Sequence, residues 1–133
     1  MGQQQLLLLV LGIVIVGISV VVALQVFERS EKVQNADALV NTAVRLAADV
    51  QAWSLKAPVM GGGGGVFTGA SFAAMGYPDG DYDHPEGTFT LTVDNAGQVT
   101  LVGCNSRLGN EVTSVVTGID PDEIDTTVSV DGC

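Results

Sequence analysis

Side chains that perform catalysis are scarce in this 133-residue chain. It has one histidine, His84, and two cysteines, neither of which lies near a general base in the sequence, and it contains no Gly-x-Ser-x-Gly sequence. Nucleophilic catalysis needs a nucleophile and a base within reach of each other. We therefore expect no enzymatic activity, no catalytic residues and no cofactor.

Basic residues are also few, with five Lys and Arg against fifteen Asp and Glu, for a formal charge of −10. From Ala57 onward there are eleven acidic residues and one base, Arg107. Such a surface repels phosphate backbones and lacks the counterion release that drives nucleic-acid binding. The composition therefore argues against direct binding of nucleic acid, and it suits a domain in water outside the cell.

One long apolar segment dominates the N-terminal region. Leu6 to Leu24 are nineteen consecutive uncharged, mostly aliphatic residues, which as a helix span about 28 Å, enough to cross a bilayer. Cleaved signal peptides have a basic start and an apolar run of about 7–15 residues. Here no Lys or Arg precedes the run and no cysteine lies near it. We therefore expect a retained membrane helix rather than a signal peptide or a lipoprotein anchor.

The following segment, Glu28 to Lys56, predicts a continuation of the same helix. Apolar residues recur at spacings of three and four, at Val33, Ala36, Val40, Ala43, Ala47, Val50 and then Trp53, which is typical of a helix with one dry face. Pro58 stops the helix. We predict an apolar membrane or filament-core helix over 1–27, its amphipathic continuation over 28–57 and an acidic, β-rich head over 58–133.

Beyond residue 58 the pattern changes to that of a sheet. The glycines at 61–65 predict a flexible connector. Phe89, Leu91 and Val93 alternate with threonines, and Asp94 to Gly97 predict a turn into a second strand. Further strands are expected around 111–117 and 126–130. The predicted fold is α+β, a long N-terminal helix with a small four-stranded antiparallel sheet packed on its C-terminal half.

Two smaller features carry site predictions in the head. Cys104 and Cys133 predict a disulfide that encloses about thirty residues and contributes about 3–4 kcal/mol, the alternative being two free buried thiols. Asp79, Asp81 and Asp83 resemble the start of a calcium loop, but His84 stands where such a loop requires glycine. We therefore favour a solvated acidic loop and predict no metal site.

The whole layout resembles a bacterial type IV pilin, in which a long helix, a glycine-rich loop, an antiparallel sheet and a C-terminal disulfide follow one another. The resemblance implies cleavage of a precursor after a glycine and a Glu at the fifth mature position. If the cut falls between Gly2 and Gln3, Leu7 is fifth; if Met1 is the first mature residue, Gln5 is fifth. Neither register supplies the acidic residue.

Uncharged polar and small residues on the apolar helix predict packing between copies. Gln3, Gln4 and Gln5 could hydrogen-bond to copies of themselves without a counter-ion, or simply solvate the cytoplasmic helix end. Small residues allow helices to approach closely; they are Gly12, Gly17, Ser19 and Ala23. Head-to-tail contacts that do not close into a ring build a helical filament.

The sequence thus leads to two functional hypotheses. The first is a structural subunit of an extracellular type IV pilus-like filament, a homopolymer held in the bacterial inner membrane before the pilus assembly machinery builds it into the filament. The second is a monomeric single-pass membrane protein whose external domain binds a partner or calcium.

Overall fold

The computed structural model describes residues 2–133, so Met1, whose retention is open, lies outside the described residues. The chain forms two compact units that divide between Val33 and Gln34. Helix α1, Gly2–Leu55, contributes to both. No proline or glycine interrupts it between Ser19 and Ala57, and Pro58 begins a short 3₁₀ turn, Pro58–Met60. The long helix predicted from the sequence is confirmed.

The second unit contains a five-stranded antiparallel sheet in which neighbours along the chain are neighbours in the sheet. Its strands are β1 (Tyr82–His84), β2 (Gly87–Val93), β3 (Val99–Asn105), β4 (Asn110–Val116) and β5 (Ile124–Ser129). The α+β class is therefore confirmed, but the predicted number of four strands is wrong.

The additional strand, β1, lies inside the segment expected to be a solvated acidic loop. A two-residue connection, Pro85 and Glu86, joins it to β2, and His84 pairs with Gly87 while Tyr82 pairs with Phe89. Three residues are too few to show a clear alternation of apolar and polar side chains. The hairpin is therefore visible only once the register with β2 is known.

The core of this unit lies between one face of α1 and one face of the sheet. Its fully buried members include Leu39, Leu46 and Val50 from the helix and Phe89 and Leu101 from the sheet. The same helix face buries Ala43, Ala47 and Trp53. The predicted packing of sheet on the C-terminal part of the helix is confirmed within this unit.

The dry face of the helix nevertheless differs at its start from the predicted stripe. Val33 is 56% exposed, whereas Asn35, which the predicted stripe does not include, is only 7% exposed. The Asn35 side-chain amide donates to the backbone oxygen of Glu86 at 2.9 Å, and its oxygen accepts a bond from the Asn110 amide at 3.0 Å. Because its hydrogen bonds are made inside the fold, a polar side chain can occupy this core position.

Gln51 is a second polar residue on the buried face of the helix. Its amide nitrogen donates to the backbone oxygens of Gly118 at 2.8 Å and of Asp120 at 2.9 Å. These bonds tie the helix to the loop between β4 and β5. Asn35 and Gln51 therefore fix the helix on the sheet near both ends of the contact, where aliphatic packing alone would allow sliding.

The sequence predicts that the glycine run is a flexible connector. In the structure its N–H groups instead bond to backbone oxygens at the end of α1 and just after it. The N–H of Gly63 donates to the Trp53 oxygen at 3.1 Å, and that of Gly65 donates to the Ser54 oxygen at 2.6 Å. Further bonds run from Gly62 to Ala57 and from Gly64 to Lys56. Because the last carbonyls of a helix lack partners within it, this run acts as a backbone cap.

Replacing Gly63 with Ala should destabilise the second unit by about 1–3 kcal/mol, the usual cost of forcing extra bulk into a packed site. An added Cβ would lie 2.1 Å from the Val66 oxygen and 2.9 Å from the Trp53 ring. Urea unfolding of the full chain in nonionic detergent, followed by Trp53 fluorescence, measures the change. Gly12→Ala, where the added Cβ meets nothing within 4 Å, should not lower stability, and equal midpoints for both variants would contradict the cap.

The disulfide predicted between Cys104 and Cys133 is present, with their Cα atoms 6.0 Å apart. Cys104 belongs to β3, whereas Cys133 follows the edge strand β5. The bridge spans 29 residues of sequence and contributes about 3–4 kcal/mol on the loop-entropy account. It therefore holds the C-terminal segment against the middle of the sheet.

Changing both cysteines to serine should lower the melting temperature of the full chain in detergent by more than about 10 °C, since each kcal/mol shifts a unit of about 100 residues by about 4–8 °C. The fold should survive, because the core between α1 and the sheet remains. Circular dichroism through the transition, with reduced wild-type protein as control, checks both points. Two reactive thiols in unreduced, denatured wild-type protein would remove the premise.

Candidate membrane and assembly helix

Residues 2–27 of α1 are exposed on every side of the helix. Among the described residues, nothing buries the large apolar side chains of this segment. They extend from Leu6, which is 64% exposed, to Phe27, which is 73% exposed. Within residues 2–133 this is the one helix long and apolar enough, by length and composition, to cross a membrane. An apolar surface of this size marks a site of contact with a membrane or with another protein.

The small residues leave shallow open positions along this surface. At about 100° per residue, Gly12, Ser19 and Ala23 lie within about 40° of one another around the helix, whereas Gly17 lies on another side. A Cβ added at Gly12 or Gly17 would meet no atom within 4 Å. The backbone at these positions is therefore accessible to a neighbouring helix.

Ser19 is adapted to apolar surroundings by a bond within the helix. Its hydroxyl donates to the Ile15 backbone oxygen at 2.8 Å, so its one donor is satisfied without water. The serine can face lipid or another helix without the cost of an unpaired hydroxyl.

The three glutamines lie in the first turns of α1 and are all exposed. Successive helix residues are about 100° apart, so Gln3, Gln4 and Gln5 together cover more than half of the helix perimeter. Gly2 and Gln3, which flank the cut in one of the two registers of the N-terminus, are both helical. Amides presented in several directions can bond to more than one neighbour, but they equally suit contact with water.

The acidic segment from Asp79 to Glu86 contains strand β1 and the turn that follows it. The Asp83 carboxylate accepts a hydrogen bond from the Thr88 hydroxyl at 3.0 Å, and the Glu86 carboxylate accepts one from Asn35 at 3.3 Å. Throughout residues 2–133 no group of three or more His, Cys, Asp or Glu is placed to hold a metal ion. The geometry gives no support to the calcium hypothesis at Asp79, Asp81 and Asp83.

Sequence analysis missed a cluster that joins α1 to the loop before β1. The Tyr77 hydroxyl donates to the Asp49 carboxylate at 2.5 Å. This bond, followed by partial burial, raises the pKa of Tyr77, and a hydrogen bond with Tyr77 raises the pKa of Arg45. Arg45 and Asp49 are one helical turn apart, but nothing in their spacing identifies the tyrosine 28 residues beyond Asp49 as their partner.

Comparison of the chain with protein-family models, with curated proteins and with solved structures found no match.

The Tyr77 bond should make the second unit less stable above pH 10. A tyrosine whose folded-state pKa is raised stabilises the fold fully below its unfolded pKa, here 10.0, and this contribution is lost as the pH rises through the folded value. Tyr77→Phe should cost about 0.5–1.5 kcal/mol at pH 7 and show a shallower decline between pH 10 and 11. Urea unfolding of the full chain in detergent measures both effects.

The Tyr82→Phe variant is the control, because it leaves the Asp49 bond in place and should keep the decline. If Tyr77→Phe and wild type lose stability at the same rate above pH 10, the bond does not act as described.

Proposed function

We propose that this protein is a structural subunit of an extracellular type IV pilus-like filament at the cell surface. The subunit is held in the bacterial inner membrane by residues 2–27 before the pilus assembly machinery transfers it to the filament. In the filament the same helix packs against copies of itself, and the acidic heads face water.

The main support for the proposal is that the apolar helix is exposed, whereas the second unit folds around a core of its own. Taking one large aliphatic side chain out of water contributes about 1.5–3 kcal/mol, and residues 6–24 include many such side chains, none covered by the chain itself. The helix therefore requires either lipid or other helices around it. The second unit, which includes the C-terminal part of α1, has its own core and disulfide, so it can remain folded in water outside either environment.

One further feature favours other helices over lipid alone, and a second is compatible with them. The open positions at Gly12 and Gly17 permit the close backbone approach that drives helix association where no hydrophobic force acts. The glutamines at 3–5 supply amides that can bond between copies. A repeated contact of this kind that does not close into a ring gives a helical polymer.

A monomeric single-pass membrane protein is the second candidate, and one observation favours it. Residues 2–27 contain no Asp or Glu, so this segment lacks the carboxylate that the pilin resemblance implies. In this candidate the helix stays in lipid and the external unit binds a partner.

Shearing of cells distinguishes the two candidates. The filament proposal predicts that the protein is released by shearing and pellets as fibres on ultracentrifugation, because the polymer breaks while its contacts between helices persist. Protein that remains with the membrane fraction after shearing, with no fibres in the supernatant, would support the monomer instead.

Replacing Gly12 or Gly17 with Leu should reduce the yield of sheared fibres at least about tenfold while membrane insertion is retained. Added bulk separates packed helices but is favourable in lipid. The matched control is Val14→Leu, which enlarges a side chain at a position that is already bulky and should leave the yield near that of wild type. Normal fibre yield from both glycine variants would rule out close packing at these sites.

A further inference from the structure

The sheet topology places two acidic segments at its two open edges. Because the strand order follows the chain, β1 and β5 are the edge strands. Asp79, Asp81, Asp83 and Glu86 lie in or beside β1, and Asp120, Asp122, Glu123 and Asp125 lie in or beside β5. Neither segment, 79–87 or 120–131, contains Lys or Arg. More than thirty residues of sequence separate the two groups, so only the fold reveals that each occupies an edge.

Open edges present unpaired backbone N–H and C=O groups to which another strand can add. The three-residue β1 is too short to pair well, but β5 has six residues, Ile124–Ser129. Its Thr127 is exposed and its Val128 is 44% exposed. The length and exposure of β5 would allow it to join the sheet of a second copy. Only the acidic residues beside it oppose this.

Identical copies meet edge to edge in three ways: β1 with β1, β1 with β5, or β5 with β5. Since acidic residues lie in or beside both edge strands, each of the three brings two acidic segments near each other. Like charges close together across a strand pair repel, most strongly where they are directly opposite. The unit from Gln34 to Cys133 carries thirteen acidic and three basic residues, so the general field adds to this local repulsion.

We propose that electrostatic repulsion between the acidic segments flanking β1 and β5 stops two copies from pairing sheet edge to sheet edge. Copies brought together then associate through residues 2–27 alone, and the separation of their heads depends on ionic strength. The Debye length falls from about 30 Å at 0.01 M salt to about 3 Å at 1 M. Salt therefore weakens the repulsion between the edges. This inference goes beyond the filament proposal, because it applies to any two copies whose heads come close.

The position of the charges must be separated from their number, and the chain offers a matched pair of variants. The edge variant carries Asp79→Asn, Asp81→Asn, Asp122→Asn and Asp125→Asn. It spares Asp83, Asp120 and Glu123, whose carboxylates accept hydrogen bonds within the fold. The off-edge variant carries Glu28→Gln, Glu31→Gln, Asp37→Asn and Asp94→Asn. The last of these keeps a side-chain oxygen, which can still accept the bonds that Asp94 receives from the Ala96 and Gln98 N–H groups. Both have a formal charge of −6, compared with −10 for the wild type.

The test uses the full chain in nonionic detergent, where micelles cover the apolar helix, so the result does not depend on filament formation. Sedimentation equilibrium gives the mass of the particle, and amide hydrogen exchange reports pairing at β5. At 0.01 M salt we expect the edge variant to associate and its β5 amides to exchange at least about tenfold more slowly. Wild type and the off-edge variant should show neither change. At 1 M salt wild type should associate through β5.

Three results would overturn the inference. One is an edge variant that behaves as wild type at low salt, which would mean that the edges do not pair once neutralised. Another is equal association of the off-edge variant, which would assign the effect to net charge. The third is association without slower exchange at β5, which would place the contact on another surface. Circular dichroism spectra matching that of wild type establish that each variant is folded.

Discussion

The aliphatic surface of residues 6–24 is the constraint on which the rest of the account depends. Within residues 2–133 no part of the structure covers it, and water is an unfavourable environment for it. The surroundings of this helix must therefore be supplied from outside, by lipid or by other copies. Its small residues favour other helices, since lipid does not require them, whereas its N-terminal glutamines suit either environment.

The second unit meets the opposite requirement, because it must remain folded in water with a small core. Aliphatic packing between α1 and the sheet is supplemented by directional contacts: Asn35 and Gln51 bond to loops on the sheet side, glycine N–H groups cap the helix, and a disulfide holds the C-terminal segment. The two amides restrict how the helix and sheet can move past each other, the cap fixes the chain that leaves the helix, and the disulfide holds the segment after β5 to β3. The acidic edges then limit what the folded unit can join.

The sequence predicted those features that depend on local pattern. The apolar run, the helix stop at Pro58, the hairpin around Asp94 to Gly97 and the disulfide all follow from neighbouring residues or from counting. The features it did not predict depend on distant partners. Asn35 can be buried because its amide donates to the Glu86 backbone oxygen and accepts a bond from Asn110. The glycines are held by backbone oxygens at the end of the helix. Strand β1 is defined only by its register with β2. The candidate helix was thus found from composition, whereas the two acidic edges required the topology.

The most direct test of the account is electron cryo-microscopy of surface material released from cells by shearing, at a resolution that shows side chains. The account predicts a helical polymer in which residues 2–27 of each copy contact the same segment of other copies, with Gly12 and Gly17 at points of close backbone approach and the sheets on the outside. Polymers in which these helices do not touch, or single copies with lipid around the helix, would contradict it.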